Sequence, residues 1–304
     1  IAGSGGNDTA AAARLSHEAE LAGADVNSLL RRRLGLSGTV LRRIKWLPDG
    51  ITVDGVRVTV RYRVQPGQTL SVRISDPDSA GQPVPVDGPV DVVWEDADLA
   101  VVNKAPGVLV HPSHGHFDDT VGNYLMARWR KNGEEAGFHP VHRLDKGTTG
   151  LLAVAKHPYG QEKLKNQLHT GHFRRVYLAV CDGIPAPPEG IIDAPIGAVP
   201  GSLIAREVRA DGKAARTHYR VLRTSGARSL VELELETGRT HQIRVHMAHL
   251  GHPILGDTVY GAKKPVPGLQ GQCLHAVGLR FRHPRTGELV ELSGGLPEEF
   301  EAQL

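Results

Sequence analysis

Apolar positions repeat along this chain with two different periods. From Val26 to Leu34 they fall at helical spacing, and Ser37 stands where it would cap a second helix running through Lys45. Pro48-Asp49-Gly50 then breaks the pattern, and the period drops to two. Ile51-Thr52-Val53 and Val56-Arg57-Val58 flank Asp54-Gly55, a dipeptide suited to a tight hairpin, and Pro66-Gly67 turns the chain into a strand from Thr69 to Ile74. Further along, short strands mix with helical stretches at Tyr159 to His169 and Thr240 to Leu250, the second stopped by Gly251. This mixture predicts an α+β fold on a mixed, largely antiparallel sheet, preceded by a small αα-hairpin module.

Punctuation divides the chain. Pro77, Gly81, Pro83, Pro85, Gly88 and Pro89 crowd one stretch, so a linker is expected across Asp76 to Pro89 with a boundary near Asp87. Residues 1–24, rich in Ala, Gly and small polar side chains, read as a mobile arm or a short helix; residues 25–87 form the small module and 88–304 the larger domain. The opening residues lack a basic flank followed by an apolar run, so no signal peptide is expected, and the absence of an initial Met suggests a trimmed or partial chain.

With 304 residues, 40% apolar and 23% charged, the chain has enough core-forming residues for an ordinary soluble protein and no stretch suited to crossing a membrane. Cys181 and Cys273 are its two cysteines, far apart and outside any C-x-x-C, which argues for a reducing, cytoplasmic setting and against a zinc knuckle. The net charge of +3 hides an asymmetry. Residues 31–63 hold nine basic against two acidic side chains, a net of +7, which leaves −4 for the remainder. A basic excess confined to one module is the footprint of a protein that reads a phosphate backbone; a solvated face is the plainer reading of the same run. The candidate RNA contacts there are Arg31, Arg32, Arg33, Arg42, Arg43 and Lys45.

The chemistry concentrates in His142-Arg143-Leu144-Asp145, which places one carboxylate on a loop before the small run Lys146 to Gly150 and the apolar strand Leu151 to Ala155. Alone, an Asp before a Gly is most simply a turn residue. Three other blocks stand in fixed order around it: Leu99 to Pro112, Arg175 to Val180, and Thr237-Gly238-Arg239-Thr240-His241-Gln242-Ile243-Arg244-Val245-His246. Over residues 88–300 this set closely resembles the pseudouridine synthases of the RluA/RluD type, with their HRLDxxTSGL signature, K-x-Y strand and GRTHQIRVH segment. The basic module resembles, more loosely, the RNA-binding module named after ribosomal protein S-four. Three departures are small: Ala105 for a usual Pro, Thr149 for Ser, and Arg175 for Lys.

The resemblance implies isomerisation of uridine to pseudouridine in structured RNA, most readily ribosomal RNA, by a monomer that needs no cofactor and no metal. It assigns Asp145 as the catalytic carboxylate, Arg244 as its partner and Tyr177 as the residue against the target base. It assigns Arg143 to the gap left when the uridine flips out. The residues themselves suit these roles: a guanidinium binds a carboxylate through a rigid fork, a phenol stacks and can relay a proton, and a planar cation stacks on bases. His142 reads as a loop-fixing hydrogen-bond partner. Rivals are a transfer-RNA synthase, a catalytically silent RNA-binding or ribosome-assembly factor on the same fold, and a metal site among His111, His114, His116, His241, His246 and His249. A kinase reading of H-R-x-D fails because no Gly-rich phosphate loop and no Asp-Phe-Gly are present.

Overall fold

The computed structural model describes residues 14–18, 24–75 and 81–304. The chain opens with β1 (Arg14–Glu18), α1 (Val26–Arg32) and α2 (Gly38–Ile44), then β2 (Ile51–Val53), β3 (Val56–Arg57) and β4 (Thr69–Arg73). Asp25 and Ser37 cap the two helices by accepting from the backbone N–H groups of Ser28 and Val40. Asp54 and Gly55 both take positive φ, 48° and 79°, as the two-residue turn between β2 and β3 requires. The four strands lie in the order β1-β4-β2-β3, over a core that includes Leu30, Ile44, Ile51, Leu70 and Val72.

The expected arm or helix at residues 1–24 needs correction at residues 14–18 alone. Its described part is β1, paired antiparallel with β4 from Arg14 opposite Arg73 to Glu18 opposite Thr69. One apolar residue in five leaves no periodic signal, so backbone pairing at a sheet edge decides the conformation. Residues 1–13 and 19–23, and 76–80 of the expected linker, lie outside the described residues.

The larger part continues with β5 (Asp91–Glu95), β6 (Leu99–Lys104), α3 (Val121–Lys131), β7 (His139–Pro140), β8 (Thr149–Ala155) and α4 (Pro158–His169). Next come β9 (Arg174–Asp182), β10 (Glu189–Asp193), β11 (Ile196–Ala198), β12 (Arg206–Val208), β13 (Arg216–Ser225) and β14 (Arg228–Leu235). The last elements are α5 (Gln242–His249), β15 (Leu274–Arg282), β16 (Leu289–Ser293) and α6 (Glu298–Glu301). Ten strands form one sheet, β10-β13-β14-β9-β15-β8-β6-β5, with β16 on β15 and β7 on β8; β11 and β12 make a separate ribbon. Every pairing in it is antiparallel except β8 with β15, so the sheet is mixed as the sequence predicts.

Strand β8 explains its own composition. Leu152 and Val154 enter the core shared with Leu125, Met126 and Trp129 of α3, whereas Leu151 and Ala153 enter the one shared with Leu164 of α4 and Phe173. A strand buried on both faces is apolar throughout rather than alternating, and each buried Leu or Val side chain contributes roughly 1.5–3 kcal/mol. Gly150 is required where β8 meets β15: φ is 104°, and a Cβ would lie 2.3 Å from the Ala276 carbonyl oxygen. The small unit rests on α4. Tyr159 joins its core and donates to the Leu34 carbonyl at 3.3 Å, Ser37 donates to Glu162, and Arg73 pairs with Glu135 at 2.9 Å.

Candidate active site

Asp145 sits on the loop between β7 and β8, and that loop is tied down from several sides. Its own carbonyl accepts from Thr148 N–H at 3.1 Å, and Gln272 donates to Thr148 Oγ1 at 2.8 Å. Lys104 is buried at the end of β6 and gives Nζ to three carbonyls: Val108 (2.8 Å), Ala105 (2.9 Å) and Lys146 (3.1 Å). Burial lowers its pKa to about 8, against the raising effect of Asp145. His142 accepts from Ala153 N–H at 3.2 Å, and burial, then the Arg175 charge, lowers its pKa to about 3. A neutral, buried imidazole holding β8 is a structural part, as its place before the Asp suggests.

Arg244 meets Asp145 from α5, Nη1 to Oδ2 at 3.2 Å. The helix begins at Gln242 rather than Thr240, because His241 adopts a left-handed backbone with φ 58°. Burial along it is not confined to one apolar stripe: Gln242 through Met247 are all buried, Arg244 among them, with its side chain in a polar pocket. There its Nε and Nη2 donate to both oxygens of Asp257, at 2.7 and 2.9 Å. Burial works against the guanidinium charge, but the Asp257 bonds and charge, aided by Asp145, outweigh it and raise the Arg244 pKa.

Tyr177 lies on β9, only 3% exposed, and borders the same cleft. Burial pushes its phenol above the usual range, against the lowering effect of Arg175, so the group is protonated at neutral pH. The cleft measures about 340 Å³, and Asp145, Tyr177, Arg244, Arg143, Arg175 and His241 all line it. Its size suits one extruded nucleoside. Arg143 is exposed at the rim, two residues from the carboxylate.

The basic side chains predicted as RNA contacts stand elsewhere. Arg31, Arg32, Arg33, Arg42 and Arg43 are exposed on α1 and α2 or just beyond α1, Lys45 follows α2, and none of the six lines the cleft. Beside them Trp46 is 76% exposed with the Lys45 ammonium 5.0 Å from its ring centroid. Among the described residues, one group could gather round a cation: Asp96, Asp98 and His283. The Asp98 carboxylate there is already taken by Arg285 and by the His157 ring.

A family model described as RNA pseudouridylate synthase matches residues 98–249, half of the chain and the part that holds Asp145, Tyr177 and Arg244. The chain belongs to this family. It is 44% identical over 261 residues to an uncharacterized RNA pseudouridine synthase, YlyB, of Bacillus subtilis, covering 84% of this chain and 85% of that one. It is 37% identical over 307 residues to ribosomal large subunit pseudouridine synthase D of Vibrio cholerae, with 94% of each chain covered. A solved structure of human RNA pseudouridylate synthase domain containing 4 overlays with a TM-score of 0.56 at 27% identity, covering 69% of this chain and 90% of that one. The protein is therefore an isomerase that makes pseudouridine in RNA.

Three groups of this synthase's site escape the sequence reading. Asp257 holds Arg244, yet it sits 13 residues away on a turn, and nothing in a single sequence links the two. Gln242 closes the segment before α5 by accepting from Thr237 Oγ1 and Arg239 N–H and donating to Thr217 and the Arg216 carbonyl. Arg175 is buried at the cleft, with Nη2 3.4 Å from the Thr237 carbonyl and, among the described residues, no partner at Nε. Its place two before Tyr177, where the resembled family carries Lys, and a charge inside an apolar strand were the available signals for it.

Proposed function

We propose that this synthase isomerises uridine in large-subunit ribosomal RNA, working as a monomer in the cytoplasm, with Asp145 as the carboxylate that acts on the sugar. The observation that carries the proposal is the 3.2 Å contact of Asp145 Oδ2 with Arg244 in a cleft that Tyr177 also borders. The ribosomal target is supported by the name of the relative that matches over 94% of both chains. Among the described residues no helix is long and apolar enough to cross a membrane.

A uridine leaves its stack before carbon 5 can be reached, at a cost of a few kcal/mol. Arg143, exposed at the rim, fills the space with a planar cation that stacks on the neighbouring bases. The glycosidic bond then breaks, uracil turns and carbon 5 bonds to the anomeric carbon; carbon 5 loses its proton and the released nitrogen gains one. A carboxylate assists either by attacking the anomeric carbon or by withdrawing a sugar proton. Arg244 keeps Asp145 aimed, and Tyr177 offers the uracil a face and a protonated phenol. The α1–α2 surface adds phosphate contacts outside the cleft.

The test is chemical mapping of pseudouridines in total RNA from cells with and without the protein. Loss of one or more sites in large-subunit ribosomal RNA supports the assignment; loss confined to transfer RNA replaces it with the transfer-RNA reading.

A further inference from the structure

We infer that His241 is a positioning residue for Asp145, oriented by Tyr260, so that two arms braced by one turn hold the reacting carboxylate. The inference rests on Asp145 being that carboxylate. His241 borders the cleft, and its Nε2 lies 3.9 Å from Asp145 Oδ2, the oxygen that also meets Arg244. Its Nδ1 lies 2.7 Å from the Tyr260 hydroxyl.

The tautomer follows from the bonds around Tyr260. The phenol oxygen accepts from the Arg206 backbone N–H at 2.9 Å, and its single proton is free to go to His241 Nδ1. That leaves the imidazole proton on Nε2, the nitrogen facing Asp145. Burial, ahead of the opposing pull of Asp145, lowers the His241 pKa and favours this neutral form.

The backbone supplies an independent argument. His241 occupies the N-cap of α5 with φ 58° and ψ 20°, and its side chain makes no capping bond. A left-handed conformation is costly for an L residue, and Ser, Thr, Asp or Asn serves an N-cap better than His. The helix gains nothing from this side chain, whereas the conformation coincides with a ring placed between Tyr260 and Asp145. Strain of this kind collects at functional sites.

Both arms are braced by the turn after α5. Asp257 Oδ1 accepts from Val259 N–H at 3.0 Å and Tyr260 N–H at 3.1 Å, and the same carboxylate holds Arg244. The Arg244 guanidinium lies 5.1 Å from the Tyr260 ring centroid. Asp145, Arg244, Asp257, Tyr260 and His241 therefore close a ring of contacts in which 3.9 Å is the one long step. Catalytic hydrogen bonds are often long before substrate binds, and a seated uridine that excludes water would shorten this one.

His241→Asn separates the two possible roles, because Asn tolerates left-handed φ while its shorter side chain withdraws the donor from Asp145. Tyr260→Phe keeps the ring under Arg244 and removes the hydroxyl. Single-turnover rates and KM are measured on a substrate RNA, with thermal melts to confirm folding. Each variant is expected to lower the rate constant about tenfold or more with KM within about twofold, and the double variant to be no slower than the worse single one. A full rate for His241→Asn, a loss seen only in KM, or multiplied losses in the double variant would overturn the inference. Asp145→Asn in the same assay separates the failures: if it is inactive while His241→Asn is fully active, the positioning role alone is lost.

Discussion

Arg244 gives two nitrogens to Asp257 and one to Asp145, so the partner of the proposed catalytic carboxylate is fixed by a second carboxylate before any substrate arrives. The guanidinium is 8% exposed and the Asp257 side chain fully buried, so this pair is held away from solvent screening. Asp257→Ala leaves a buried cation with half its compensation. Equilibrium urea unfolding should show a loss on the order of 3 kcal/mol, and turnover should fall at least tenfold because Arg244 is released from its fixed position. An Asp257→Ala enzyme with normal turnover would show that Arg244 aims Asp145 without help.

Tyr177→Phe preserves the flat face on β9 and removes a phenol that is protonated at neutral pH. If the phenol relays the proton lost from carbon 5, steady-state turnover should drop by about 10²-fold with little change in RNA affinity. Full turnover by the Phe variant would reduce Tyr177 to a stacking platform.

Asp98 ties the start of β6 to α4 and to the β15–β16 turn through His157 and Arg285. Burial alone would raise its pKa, but the bonds from His157 and Arg285 outweigh it and hold the carboxyl at about 2, below the ordinary 3.8. A depressed carboxylate stabilises the fold above its unfolded pKa, and that contribution is lost as pH falls from 3.8 through about 2. Denaturant midpoints taken between about pH 5 and pH 2 should lose about 1–2 kcal/mol more in the wild type than in Asp98→Asn. Parallel pH curves for the two proteins would remove Asp98 from the acid response.

The basic surface is better tested by neutralising charges than by deleting the small unit, since deletion would bare Tyr159, which lies in that unit's core. Changing Arg31, Arg32, Arg33 and Arg42 together to Gln leaves both helices their apolar faces. For each phosphate that the variant no longer neutralises, the slope of log affinity against log salt should flatten by roughly 0.7–0.9. Equal slopes for variant and wild type would make these residues a solvated face. Trp46 supplies a second readout, because an exposed indole stacked on RNA bases should lose fluorescence on binding.

Much of this molecule was legible where local chemistry decides the outcome. Ser37 caps α2, Asp54-Gly55 turns the hairpin, and the unbroken apolar run of β8 marks a strand at the centre of a sheet. The meeting of Asp145 and Arg244 came from family likeness, since residues 99 positions apart share no local signal. What stayed hidden depends on long-range pairing. Strand β1 exists through β4, the polar environment of Arg244 exists through Asp257, and the late start of α5 follows from a single left-handed residue whose ring faces Asp145. Helical periodicity cannot distinguish a helix buried all round from one with a single apolar face when its polar residues have buried partners.

The central claim is that Asp145 performs the chemistry while binding energy comes from elsewhere. Tritium release from RNA carrying uridine labelled at carbon 5 measures the first, and a filter-binding isotherm on the same RNA measures the second. Asp145→Asn should release no tritium above background and bind RNA within about threefold of wild type, because phosphate contacts and stacking are untouched. Release at the wild-type rate by the Asn variant would contradict the account.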